Sequence, residues 1–376
     1  MKKTLVALAV LSSVTGAFAE VTISGNLNQA VTTDTLKGGT EEYGVQGMHS
    51  ISGDSFLTFS GNEDMGNGLK ASFKLEQALD LNGNVSTTGS MFGTNTTGNG
   101  NREAWVGVSS DIGTLSFGNQ YAPSFLAAIG ADPMGANNIK GAMGNLGIST
   151  VLGGNSIVYA SPAFNGFTAS VMQNYGANET TNSTYNAGNA VGYSLSYASG
   201  PLSAAYGNQQ ATLNGSSTYQ VNLVDIGAGA LIGAKGTATA KSGTDAAHYS
   251  SNYVQTAAAV SDGDTRTEQT YSISYDLGMA KVGYWGSKTN YTAGDQVQGQ
   301  SAAISAPFGS LTLAYTFGTG SATPNGGTTT DYTGYQYSAK YALSKRTYAY
   351  VEGGSIKDTT HDETRQTYGF GLNHSF

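Results

Sequence analysis

Between Leu69 and Leu79 the charged side chains share one parity: Lys70, Lys74 and Glu76 alternate with Leu69, Ala71, Phe73 and Leu75. Arg102 stands in the next stretch of this kind, Asn119 and Gln120 in the one after, and Asp132 and Lys140 follow in a Gly-rich segment. Fixed charges on the polar face of an extended chain neither attack bonds nor shuttle protons without a positioned partner. They set an electric field over whatever passes that face. The chemistry open to these residues is electrostatic rather than covalent.

Covalent chemistry has a weaker trace. Gly53-Asp54-Ser55-Phe56-Leu57 contains a serine in a hydrolase-like setting, and Asp358-Thr359-Thr360-His361 has the spacing of an acid and a base. A serine nucleophile needs a rigid turn, a histidine in hydrogen-bond reach and donors for the oxyanion. Here Ser55 falls in a predicted strand and His361 in a loop, with no βα units between. The four histidines, His49, His248, His361 and His374, are scattered and there is no cysteine, so neither a metal site nor a cofactor is expected.

The elements that must hold these charges are strands. Gly makes up 53 of 376 residues and charged residues only 11%, with 23 Tyr and 13 Phe. That is too aromatic for disorder and too Gly-rich and charge-poor for an ordinary soluble enzyme. Large apolar residues alternate with small polar ones through Val191, Tyr193, Leu195 and Tyr197. The same holds for Tyr271, Ile273, Tyr275 and Leu277, for Leu311, Leu313, Tyr315 and Phe317, and for Tyr368, Phe370 and Leu372. A secreted β-sandwich or β-helix also alternates, but its strands average about 5–6 residues and its polar faces carry charge. These run nearer the ~9–11 residues of a bilayer-crossing strand, with Ser, Thr, Gly and Asn on the polar face. The expected fold is all-β, a transmembrane antiparallel up-and-down β-barrel.

Short turns are expected at Met65–Gly68, Asp111–Gly113, Pro162–Gly166, Ser199–Pro201, Asp276–Gly278, Pro307–Gly309 and Leu343–Lys345, where Gly or Pro sets the backbone in most cases. Seven hairpins with one strand at each end give sixteen strands. Residues 212–266 form a long fifth outer loop or an extra hairpin. Thr218–Gly227 resembles Thr270–Gly278, and an eighth turn at Asp225–Gly227 would make eighteen strands.

Residues 1–19 read as a signal peptide: Lys2 and Lys3, an apolar run from Leu5 to Leu11, then Ala17-Phe18-Ala19. The barrel would occupy 20–376. Without Lys2 and Lys3 the net charge falls from −8 to −10, which disfavours nucleic acid as a partner.

Taken together, several segments resemble the general diffusion porins of Gram-negative outer membranes. They are Gly61-Asn62-Glu63-Asp64-Met65-Gly66-Asn67-Gly68-Leu69-Lys70-Ala71, Asn101-Arg102-Glu103-Ala104-Trp105-Val106-Gly107-Val108, Gly118-Asn119-Gln120-Tyr121-Ala122-Pro123, Tyr341-Ala342-Leu343-Ser344-Lys345-Arg346-Thr347 and the terminal Phe376. The resemblance spans the whole mature chain. It implies a homotrimer of sixteen-stranded barrels in contact with outer-membrane lipid and lipopolysaccharide. It also implies that residues 122–154 form a third loop folded inward as a constriction, and that Phe376 is read by the barrel assembly machinery. Lys70, Lys74, Glu76, Arg102, Asn119, Gln120, Asp132 and Lys140 would then line the pore; by parity Trp105 faces lipid or a neighbouring subunit and Arg102, three positions away, faces the opposite way into the pore.

The departures from the family pattern bear on selectivity. Related porins often carry basic residues where this chain has Phe56, Ser60, Asn119, Asn373 and Ser375. The expectation is therefore a diffusion channel for small hydrophilic solutes and ions that is near neutral or weakly cation-selective. A sugar-selective channel and an adhesin or structural barrel are the alternatives.

Overall fold

The computed structural model describes residues 20–36, 42–46, 49–50, 52–79, 81, 101–137, 139, 141–148, 150–175, 187–213, 217–221, 256–260, 264–292 and 294–376. Among the described residues, sixteen antiparallel strands close into a barrel, and a short further strand, Glu42–Gln46, pairs with the end of the first in the same sheet. The first half comprises β1 (Glu20–Leu36), β2 (Phe56–Gly66), β3 (Leu69–Ala78), β4 (Asn101–Ser110), β5 (Gly113–Tyr121), β6 (Leu152–Ala160), β7 (Phe167–Asn174) and β8 (Ala187–Ser199). The second half comprises β9 (Leu202–Leu213), β10 (Thr265–Asp276), β11 (Lys281–Tyr291), β12 (Gln296–Phe308), β13 (Leu311–Thr323), β14 (Thr330–Ala342), β15 (Thr347–Asp358) and β16 (Glu363–Ser375).

Each strand pairs with its neighbours in sequence, and β1 pairs with both β2 and β16. Closure leaves no open edge in the membrane, where unpaired peptide groups would be costly. At the seam, Gly25 and Phe376 exchange two backbone hydrogen bonds of 3.1 and 3.2 Å. The seven short connections fall at the seven expected turns.

The described part of the segment that resembled an additional barrel strand, residues 218–221, lies outside the barrel sheet. Ser217–Val221 pairs with Thr256–Val260 as a separate two-stranded sheet. The turn at Asp225–Gly227 that an eighteen-stranded barrel would need lies outside the described residues, as does the signal segment 1–19.

Alternation fixes which face is which. Along β10, Glu268, Thr270, Ser272 and Ser274 are buried toward the interior while Tyr271, Ile273 and Tyr275 are exposed on the outside. Among the described residues the buried apolar side chains form several separate clusters rather than one central core. These clusters lie where an inward-folded segment meets the wall: Met143 with Val297, Ala322, Tyr332 and Ile356, and Phe125 with Ala122, Val151 and Met172.

Candidate constriction site

The inward segment leaves β5 at Tyr121 and rejoins the wall at Leu152. Its short helix α1 (Pro123–Ile129) starts on Pro123, whose fixed φ suits a first helical turn. One side of α1 lies against β9 and β10. Thr270 Oγ1 donates to the Ser124 carbonyl at 2.6 Å, Ser272 Oγ to the Ala127 carbonyl at 2.5 Å, and Ser124 Oγ to Gln209 Oε1 at 3.2 Å. A 3-10 turn, Met143–Asn145, continues the cover over β11 and β12. There Ser301 Oγ accepts from Gly144 N at 2.8 Å, Ser287 Oγ donates to the Gly144 carbonyl at 2.7 Å, and Trp285 Nε1 donates to Asn145 Oδ1 at 2.9 Å. Asn137 Nδ2 reaches Glu352 Oε2 on β15 at 3.2 Å.

Wall polar residues therefore bond several peptide groups of the loop, and glycines make room for it. A Cβ on Gly299 would meet the Met143 carbonyl oxygen at 1.8 Å, and one on Gly207 would meet Ser124 Cα at 2.6 Å. Wall glycine is needed for this close approach of two backbones.

The inward segment thus lies against β9–β15, and it also touches β7, β8 and β1. Within α1, Leu126 is 50% exposed. Asp132 does not face the bore. It is buried within its own loop, accepting from Met134 N and Ala136 N at 2.9 Å and from Asn145 Nδ2 at 3.4 Å, and burial pushes its carboxyl above the usual carboxylate range. Lys140 lies outside the described residues.

The opposite wall carries the charge. Arg102 is clamped by Glu76 and Asp54, donates to the Tyr121 hydroxyl at 2.8 Å, and lies 5.0 Å over the Phe56 ring. Lys74 pairs with Glu103 and, at 3.1 Å, with Glu76. Thr58 Oγ1 also donates to Glu76. Two cations, Arg102 and Lys74, thus meet three carboxylates, Asp54, Glu76 and Glu103, and the cluster keeps a surplus of one negative charge. Tyr121 ties it to the inward segment by stacking on Phe125, with ring centroids 5.5 Å apart.

The other expected residues fall elsewhere. Lys70 is exposed one residue beyond the Gly66–Leu69 turn, four residues and roughly 13 Å along the strand from Lys74. Asn119 donates its amide to the Arg102 carbonyl, and Gln120 is buried, accepting from Ser116 Oγ. Trp105 does not face outward. It sits opposite Lys74 in register, and its indole N–H donates to Glu103 Oε1 at 3.1 Å. The cause is a bulge. Between Leu75 and Gln77 the β3 strand advances two residues while β4 advances three, from Ala104 to Asn101. Both Arg102 and Glu103 consequently turn inward, and parity counted from Arg102 puts Trp105 on the wrong face.

Asp54, Glu103 and Tyr121 were not among the residues singled out by alternation. Asp54 was legible only as part of the serine motif, and Glu103 and Tyr121 only as pieces of longer matched segments. That motif is not assembled: the Ser55 hydroxyl is held by the backbone of Asn28 at 2.9 Å, and His361 Nδ1 pairs with Asp358 at 2.8 Å.

The model of a family described as Gram-negative porin matches residues 4–253 and 226–361. An outer membrane porin protein of Bordetella pertussis is 30% identical over 261 residues, which cover 60% of this chain and 63% of that protein. The anion-selective porin from Comamonas acidovorans superimposes with a TM-score of 0.71 at 21% identity, covering 96% of this chain and 100% of that one. The trimer form of OmpT of Vibrio cholerae gives a TM-score of 0.62 at 16% identity, covering 95% and 99%.

Proposed function

The chain belongs to the Gram-negative porin family of the outer membrane, a family of channels rather than enzymes, and from that premise we propose that it forms a passive diffusion pore for small hydrophilic solutes and ions. The pore is near neutral with a weak preference for cations, and it works as a homotrimer.

The observation that carries the selectivity is the carboxylate surplus around Arg102. Each cation there is held by carboxylates on its own wall, so little positive field reaches the bore. A narrow passage with low-dielectric walls amplifies single fixed charges, so one uncompensated carboxylate is enough to bias ion traffic. The anion selectivity in the name of the Comamonas acidovorans porin is a property of that protein. In this chain Phe56, Ser60 and Asn119 stand where related porins often carry basic residues.

A track for sliding sugars would need rings along the bore. Tyr193, Tyr206, Tyr271, Tyr284 and Tyr315 instead face outward, so a dedicated sugar channel is not favoured.

The homotrimer reading draws on the trimeric relative and on the exposed apolar surface of Val106, Val108, Leu115 and Phe117 on β4 and β5. The test is single-channel recording of the purified protein in a planar bilayer. Stepwise ohmic openings that persist at low voltage are expected, in groups of three. A protein that inserts without conducting contradicts the channel reading.

A further inference from the structure

The outward apolar band of β9–β14 is displaced toward the short turns. Toward the opposite strand ends the outward residues are amides and hydroxyls, among them Gln269, Gln298, Gln300 and Thr319. Next comes a row of rings: Tyr206, Tyr271, Tyr284, Phe317 and Tyr335. The Tyr284 hydroxyl donates to Gln300 Oε1 at 2.6 Å, and Gln269 Nε2 donates to the Tyr206 hydroxyl at 3.4 Å. Phenols with rings in lipid and hydroxyls bonded to a polar belt mark the outer water interface.

From that row the strands are too short to span the hydrocarbon alone. Tyr271 to Leu277 is six residues and Tyr335 to Leu343 is eight. At about 3.4 Å per residue and a tilt of roughly 35–45°, these descend only about 14–22 Å, against an apolar band about 25 Å tall. The turns carry the remainder. Met279 is 81% exposed and Phe308 62%, with Leu277 and Leu343 close behind. Parity continues the lipid-facing series into the tips, from Ile273 and Tyr275 to Leu277, and from Ile304 to Phe308.

Two of these turns also bond some of their own peptide groups. Gly278 N bonds Asp276 Oδ1 at 2.7 Å, Leu277 N bonds the Ala280 carbonyl at 2.8 Å, and Arg346 N bonds Ser344 Oγ at 3.1 Å. Self-sufficiency of this kind is what a segment needs where water is scarce. Lys281, Lys345 and Arg346 flank the tips, exposed and able to reach lipid phosphates.

We propose that the tips Leu277, Met279, Phe308 and Leu343 are inserted into the boundary region of the inner leaflet, forming an anchoring collar whose partner is phospholipid. The barrel then rides low, and the polar strand ends stand clear of the hydrocarbon on the outer side.

The chain has no cysteine, so single cysteines can be introduced one at a time and spin-labelled in the intact protein reconstituted into phospholipid bilayers. Met279→Cys and Phe308→Cys are the test sites, Ile304→Cys is the mid-band reference, and Thr328→Cys on an exposed outer connection is the aqueous reference. Labels at 279 and 308 are expected to resemble 304, with high oxygen collision rates and severalfold lower accessibility to a water-soluble nickel complex than at 328. Nickel accessibility nearer that of 328 overturns the proposal and leaves the tips in water, open to a periplasmic protein instead. The readout does not depend on whether the pore conducts.

Discussion

Arg102 is a barrel-wall charge largely cancelled by its neighbours. Glu76 lies between it and Lys74, Asp54 takes its other face, and Glu103 takes Lys74. Removing one member should shift the balance in a direction that arithmetic gives. Arg102→Ser leaves three carboxylates against one cation, so cation preference should rise in a salt-gradient measurement. Asn119→Arg adds a cation beside the Arg102 backbone and should move the potential the opposite way. Lys70→Ser should do little. It lies roughly 13 Å along the strand from Lys74, beyond the screening length of about 8 Å at physiological salt. If the Arg102 and Asn119 variants both leave the potential unmoved, the cluster does not border the conducting path. Alternation alone brought Lys74 and Glu76 to one face, whereas Arg102 was placed there as the opposite of an outward Trp105, a premise the bulge removes. Glu103 and Trp105 escaped it because a bulge shifts parity by one residue, and no residue type near Leu75 announces a bulge.

At the scale of elements, the turns and strands were readable because a two-residue period and Gly- or Pro-bearing turns are local signals. The seating of residues 122–151 was not, since it depends on wall positions far away in sequence. The glycines that looked like a compositional oddity are partly explained by it. Gly299 and Gly207 make room for a second backbone layer, and Ser287, Ser301, Thr270 and Ser272 bond its peptide groups. Gly299→Val should therefore lift the 3-10 turn from the wall. Overpacking of this kind costs about 1–3 kcal/mol, and the channel should become noisier, with a changed unitary conductance, while the barrel still assembles. A variant with unaltered current records would mean that the turn does not bound the conducting space. The eighteen-strand alternative arose for a related reason. Ser217–Val221 has strand chemistry, yet its partner is Thr256–Val260, and local pattern cannot tell a strand of the barrel from a strand beside it.

At the scale of the whole molecule, closure and association are the two requirements. The seam depends on Phe376, whose backbone exchanges two hydrogen bonds with Gly25 and whose ring packs where a Gly25 Cβ would stand. Each backbone bond is worth about 1 kcal/mol net. Deleting Phe376 should lower the amount of folded protein in the outer membrane without lowering synthesis, as read by heat-modifiable gel mobility, whereas normal levels would show the terminal residue to be dispensable. Val106, Val108, Leu115 and Phe117 give the barrel an apolar outer patch, and crosslinking in mild detergent should capture trimers. A purely monomeric species would exclude that face as an interface. The most direct test of the account is the zero-current potential of the unmodified protein and of Glu103→Gln across a potassium chloride gradient. The dilute side should become slightly positive for the unmodified channel, and the potential should fall toward zero when the surplus carboxylate is neutralised. A potential of strongly anion-selective sign for the unmodified channel, or no change on neutralising Glu103, would contradict it.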